Sequence, residues 1–121
     1  MVWSCVQESN DVSSQKKVKI MTSSVLDTHT LSNYKEVSIE HSHLSLSVDF
    51  ESKLIYGSVS HTIKNNSGSS EFVLDTKYLT IESVSDQDGN KLDFSYGEKD
   101  DLLGDPLMVS INVNTKKVNI K

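Results

Sequence analysis

The chain has 121 residues, the length of one ordinary domain, so two separate lobes closing on an active site are excluded. Hydrophobic residues make up 36% of the sequence, which predicts a small core. The 12 Lys and Arg residues against 17 Asp and Glu residues give a net charge of −5, the wrong sign for a surface that binds nucleic acid. No apolar run reaches the roughly 20 residues that cross a bilayer, and no secretory signal is visible. With Cys5 as its one cysteine, the chain is expected to be cytoplasmic, without an internal disulfide and without a membrane partner.

Residues 1–26 are polar, rich in Ser and Lys, and show neither helical nor alternating apolar periodicity. Such a segment cannot bury enough apolar area to offset the entropy lost on ordering, so the pattern predicts a disordered leader. Met21 offers a second translation start near its end. Glu8 and Asp11, and the absence of Arg before Met21, argue against a transit peptide. The folded domain is expected over residues 27–121.

From Val37 onward, apolar and polar residues alternate, which is typical of a strand with one buried face. In the first stretch, Leu44, Leu46, Val48 and Phe50 alternate with serines and Asp49. This places Leu46, Val48 and Phe50 on the predicted buried face. A second alternating stretch covers residues 55–63, and the break at residues 51–53 is short enough for a hairpin turn.

The rest of the chain continues the β pattern. Turn-forming residues at 65–70 precede short apolar runs at 72–74 and 79–81, and the Asp-Gly pair within residues 86–90 predicts another hairpin. Alternation then resumes at Leu92, Phe94 and Tyr96, at Leu107, Val109, Ile111 and Val113, and at Val118 and Ile120. No apolar residue recurs at helical spacing for three turns, so the fold class is predicted to be all-β, an antiparallel saddle or sandwich-like domain.

Three histidines are the first candidates for chemistry. His41 and His43 are two apart on a predicted strand and therefore share a face, as two metal ligands would. If the turn centres on residues 52–53, His61 comes almost opposite His43. Spacing supplies neither a fourth ligand nor a carboxylate that orients the rings, so solvent-facing histidines are the preferred interpretation.

Other candidate motifs are equally incomplete. Five acidic residues resemble a calcium loop only in charge, because no bidentate Glu follows at the twelfth loop position. They are Asp86, Asp88, Asp100, Asp101 and Asp105, and solvated loops are the preferred interpretation. No serine elbow, Cys–His pair or His-Glu dipeptide is present, so catalytic and metal site residues are predicted to be absent from this chain. The sequon at residues 65–67 would accept a glycan only in a secretory compartment.

Four segments of the chain share one register with a known family. They are Thr30–Val37, His41–Phe50, Gly57–Val59 and the most specific stretch, Leu74-Asp75-Thr76-Lys77-Tyr78-Leu79-Thr80-Ile81-Glu82. These segments resemble the N-terminal domain of the leukotriene A4 hydrolase and zinc aminopeptidase family. Gly97-Glu98 with Gly104-Asp105-Pro106 is similar to the loop before the family's next strand. Together these segments cover about three quarters of the chain.

The resemblance implies a partial, truncated N-terminal β domain of an enzyme that removes N-terminal residues from peptides and, in some members, hydrolyses an epoxide fatty acid. It implies zinc in the complete enzyme and none in this chain, because the family's zinc and substrate motifs lie beyond the position that matches Lys121. The implied partners are the catalytic and C-terminal domains of the same enzyme. Self-association through an exposed sheet edge at residues 118–120 is a further expectation. The alternative is an independent β-sandwich binding module without catalysis.

Overall fold

The computed structural model describes residues 28–121, which form seven β-strands. No helix that could cross a membrane occurs in this part of the chain. The leader predicted over residues 1–26 lies outside the described residues, as do Cys5 and Met21. The strands are β1 (Val37–Asp49), β2 (Leu54–Asn65), β3 (Glu71–Thr76), β4 (Val84–Ser85), β5 (Phe94–Tyr96), β6 (Asp105–Ser110) and β7 (Lys117–Ile120).

The strands form two antiparallel sheets, which confirms the all-β prediction. One sheet has the order β1-β2-β7-β4 and the other the order β3-β6-β5. The expectation that residues 118–120 form an exposed edge is wrong. Strand β7 lies inside its sheet, with Val59–Thr62 of β2 on one side and Val84–Ser85 of β4 on the other. The two edge strands of this sheet are therefore β1 and β4.

The core lies between the two sheets. Its nine buried hydrophobic residues come from both sheets and from the loop after β6, and Val59, Leu74, Ile81, Leu92 and Phe94 pack against them. The buried residues are Val37, Ile63, Phe72, Val84, Leu107, Val109, Ile111, Val118 and Ile120. The alternation in β6 is confirmed, but the strand ends at Ser110, and Val113 is exposed in the turn that follows. The core is small, as the composition predicts.

The first hairpin is confirmed, with β1 and β2 joined by a turn over residues 50–53. Asp49 holds this turn, because its carboxylate accepts hydrogen bonds from the backbone N–H groups of Glu51 and Ser52 and from the Ser52 hydroxyl. The Ser52 hydroxyl first, and the backbone groups after it, lower the pKa of Asp49. Lys53 completes the reversal at a φ of 57°.

The turn predicted at residues 86–90 also forms, although its two flanking strands belong to different sheets. The carboxylate of Asp86 accepts hydrogen bonds from the backbone N–H groups of Asp88 and Asn90 and from the Asn90 side chain, and Gly89 has a φ of 85°. Strand β4 before the turn pairs with β7, whereas β5 after it pairs with β6. This turn therefore passes the chain from one layer to the other.

Candidate interaction surface

Several exposed apolar side chains adjoin one another on the first hairpin. Leu44, Leu46 and Val48 of β1 share a face with Ile55 and Val59 of β2, since they occupy directly opposed or alternate positions in the ladder. We call this set the hairpin apolar face. Val59 is half-buried and packs against the core, whereas the other four side chains are 52–68% exposed.

The prediction that Leu46, Val48 and Phe50 are buried is wrong: all three side chains are exposed within the described part of the chain. Leu46 and Val48 are 56% and 52% exposed, and Phe50 is 86% exposed in the turn. The reason is strand length. Strand β7 pairs with β2 only over Val59–Thr62, so the far half of the hairpin extends beyond the part of the sheet that has further strands beside it.

The three histidines weighed as metal ligands do not share a face of the sheet. His43 lies opposite Ser60, and His61 lies opposite Ser42, so His61 is on the other face of the sheet from His41 and His43. A difference of one residue in register is enough to move a side chain to the opposite face. Among residues 28–121, no three His, Cys, Asp or Glu side chains are close enough to hold a metal ion together.

His61 instead packs at the edge of the core, where it contacts Ser42 and Phe72. Its Nδ1 atom is 2.8 Å from the Ser42 hydroxyl, and its ring meets the ring of Phe72 edge-on, with 6.2 Å between centroids. Burial lowers the pKa of His61, because the charged imidazolium loses solvation there.

This pKa shift predicts a pH-dependent stability. A histidine with a lower pKa in the folded state binds its proton preferentially in the unfolded state, so stability falls as the pH decreases through the unfolded-state pKa of about 6.5. We expect the unfolding free energy to decrease between about pH 7.5 and 5.5, and to decrease less in His61→Gln. Urea titrations at both pH values measure this. His43→Gln, at an exposed position, is the matched control. Equal pH dependence in wild type and His61→Gln would contradict the assignment.

The acidic residues belong to separate turns and loops. Asp100 accepts hydrogen bonds from the backbone N–H groups of Leu102 and Leu103, both at 2.8 Å. These bonds lower the pKa of Asp100, with a smaller contribution from the charge of Lys77. Asp86 stabilises the other turn. The carboxylates of Asp86 and Asp100 thus hold local backbone structure, and the sequon residue Asn65 does the same through hydrogen bonds with the backbone of Ser69.

An open groove of about 520 Å³ lies on the outer face of the smaller sheet. Val73, Pro106 and Met108 contribute its apolar surface, together with Leu31 and the backbone at Gly97. The loop residues 98–100 add one Lys between two acidic side chains.

In the stretch at residues 74–82, which has the most specific family resemblance, two side chains hydrogen-bond to neighbouring segments. Asp75 accepts hydrogen bonds from the backbone N–H of Leu31 and from the Thr30 hydroxyl. Thr76 is 7% exposed, and its hydroxyl donates to the carbonyl of Asp105 at 2.6 Å. The apolar run at residues 79–81 is not a strand, although Ile81 packs against the core.

Asn33, which sequence reasoning did not single out, continues the same arrangement. Its side chain accepts from the backbone N–H of Val73 and donates to the carbonyl of Glu71. In this way the segment at residues 30–33 covers the outer edge of β3. An Asn before a strand carries no distinctive signal, so only the structure identifies this role.

Comparison with known proteins identifies the relatives. No protein-family model matches the chain. Leucine aminopeptidase 2-2 of Scheffersomyces stipitis is 38% identical over 96 residues, which are 78% of this chain and 15% of that protein. Leucine aminopeptidase 2 of Kluyveromyces lactis is 44% identical over 85 residues, which are 69% of this chain and 13% of that protein. The chain thus spans about a seventh of the length of these relatives.

Solved structures agree with the sequence comparison. The structure of native yeast LTA4 hydrolase superimposes with a TM-score of 0.72 at 38% identity, covering 81% of this chain and 16% of that one. The same enzyme in complex with bestatin gives a TM-score of 0.71. Both the sequence and the fold of most of the chain are therefore shared with these enzymes. Most of this chain is therefore homologous to part of the N-terminal β domain of the leukotriene A4 hydrolase and leucine aminopeptidase 2 enzymes.

Proposed function

We propose that this chain is a non-catalytic part of the N-terminal β domain of a zinc aminopeptidase of the leukotriene A4 hydrolase type. In the complete protein, the proposed activity is the removal of N-terminal residues from peptides, an activity to which some members of the family add hydrolysis of an epoxide fatty acid. The observation that carries the proposal is 38% identity to a leucine aminopeptidase over 78% of this chain, within only 15% of the relative's length.

The proposed partners are the catalytic and C-terminal domains of the same enzyme. The hairpin apolar face supports this, since Leu44, Leu46, Val48 and Ile55 are each more than half exposed and adjoin one another. A contiguous exposed apolar surface of this kind is typical of a contact site. In this proposal, burial of the face against the rest of the enzyme helps to position the domain beside the substrate channel.

We assign the zinc to the part of the enzyme that this chain does not match, and we propose that the complete protein is cytoplasmic. For the chain on its own, we propose self-association through a sheet edge. Acting alone, the chain is expected to hydrolyse no amino-acid anilide and to bind no stoichiometric zinc. Without the catalytic and C-terminal domains, the hairpin apolar face of the chain remains exposed.

A chimera tests the proposed function. Residues 28–121 replace the matching segment of yeast LTA4 hydrolase, and hydrolysis of leucine anilide is measured with and without a chelator. We expect activity that the chelator removes, because the transplanted segment shares the fold of the one it replaces. An insoluble or inactive chimera, when the parent enzyme is active under the same conditions, would contradict the proposal.

A pair of chimeras then tests the contact surface. Leu46→Asp with Ile55→Asp places charge on the hairpin apolar face, and burying those charges is costly. We expect this chimera to lose activity and to unfold at a lower temperature. The matched control, Ser47→Asp with Ser58→Asp, adds the same charge on the other face of the same two strands. Equal loss in both chimeras would show that the hairpin apolar face has no special role.

A further inference from the structure

Strand β1 has an outer edge that no other strand covers within residues 28–121. It spans Val37–Asp49 and stands at the end of the sheet order β1-β2-β7-β4. The other sheet edges are either covered by another segment or very short. Strand β3 is covered by the segment at residues 30–33, and the edge strands β4 and β5 have only 2 and 3 residues. The edge of β1 is therefore the longest one open to another chain.

The ladder shows which backbone groups lie at this edge. The N–H of Ile63 donates to Lys116 beside β7, so odd-numbered residues of β2 face β7 and even-numbered ones face β1. His43, opposite Ser60, therefore points its backbone groups toward β2. In β1 the alternate residues point outward: Ser42, Leu44, Leu46 and Val48. Each presents one N–H and one C=O to the open side.

This stretch lacks the devices that usually protect an edge strand. Natural sheets interrupt exposed edges with Lys, Pro or a bulge. Residues 42–48 contain no Lys, Pro, Gly, Asp or Glu, and the single irregularity of β1, between Ile39 and His41, comes before them. The seven residues therefore form an uninterrupted strand edge with an exposed apolar face.

We propose that two copies of this chain pair through β1, antiparallel and centred on Leu46. In this register Leu46 lies opposite Leu46 of the second copy and Leu44 lies opposite Val48, so the outward backbone groups satisfy each other. A two-fold axis perpendicular to the sheet keeps the apolar side chains of both copies on one face. The four strands of each copy then form one continuous sheet. This inference is independent of the proposed enzyme, since it concerns the 121-residue chain alone.

Sedimentation velocity of the 121-residue chain and its variants tests the proposal. We expect wild type to dimerise in the micromolar to millimolar range, and Leu46→Lys and Leu46→Glu each to raise the dissociation constant at least about tenfold, because like charges then lie directly opposite. Mixing the two variants should restore the dimer, because Lys then faces Glu. Recovery on mixing also shows that both variants fold.

The matched control is Ile55→Lys, which places the same charge on the same face but on the second strand from the edge. Ile55 is 68% exposed, comparable to 56% for Leu46. Edge pairing predicts that Ile55→Lys still dimerises. A monomeric wild type, or an unfolded one, would overturn the proposal. So would an equal loss of the dimer in Ile55→Lys and Leu46→Lys, which would indicate stacking of apolar faces.

Discussion

Phe72→Ala is expected to cost about 3–5 kcal/mol of unfolding free energy, because it removes a fully buried aromatic ring and leaves a cavity. Phe72 is 1% exposed and lies in the core between the two sheets. Its ring also makes the edge-on contact with His61. A whole domain has a stability of only about 5–15 kcal/mol, so this variant should be largely unfolded at moderate temperature.

Phe50→Ala is the matched control, since it removes the same atoms from a side chain that is 86% exposed in the first turn. Its cost is expected to stay within about 0.5 kcal/mol. Urea denaturation followed by circular dichroism measures both variants of the isolated chain. If Phe50→Ala proved as destabilising as Phe72→Ala, the hairpin tip would be packed in solution and the exposed position of Phe50 would be wrong.

Gly57→Ala is expected to have the second large effect. A Cβ atom at this position would clash with the carbonyl oxygen of Ser45 and would lie 2.9 Å from the Cα atom of Leu46. Both are backbone atoms of the paired strand, so β1 and β2 must move apart to admit a methyl group. Clashes of this kind cost about 1–3 kcal/mol or more.

Ser58→Ala controls for the introduction of alanine, because Ser58 is the next residue of β2 and is exposed. Its effect should be within about 0.5 kcal/mol. Amide hydrogen exchange of Ser45 and Ser47 adds a local measurement, since their backbone groups face β2 and a displaced β1 loses those hydrogen bonds. Unchanged exchange and stability in Gly57→Ala would show that the close approach at Gly57 does not exist.

The strands and turns of the chain could be predicted because their signals are local. Alternation predicts β1, β2 and β6, since successive strand residues point to opposite faces. The Asp-Gly pair predicts the turn at residues 86–90 because Gly89 can adopt the positive φ of 85° found there. The resemblance of residues 74–82 to the aminopeptidase family is also visible in the sequence alone.

The site was predicted less well, because it depends on how strands pair. The proximity of His61 to His43 required a register that the hairpin does not adopt. The edge-strand expectation for residues 118–120 required knowledge of the sheet order, in which β7 is internal. Register and order arise from contacts between residues far apart in sequence, such as Val118 with His61, and no local pattern encodes them.

The sequence by itself determined the fold class, the first hairpin, the turn at residues 86–90 and the resemblance to the aminopeptidase family. Only the tertiary structure decided which apolar residues are buried. Leu46 and Leu107 stand in equally clean alternating stretches, yet Leu46 is 56% exposed and Leu107 is 0% exposed. Alternation states that one face of a strand is apolar, whereas burial requires a second layer over that face. In this chain the four-stranded sheet covers the inner face of β6, whereas the three-stranded sheet leaves the far half of the first hairpin uncovered.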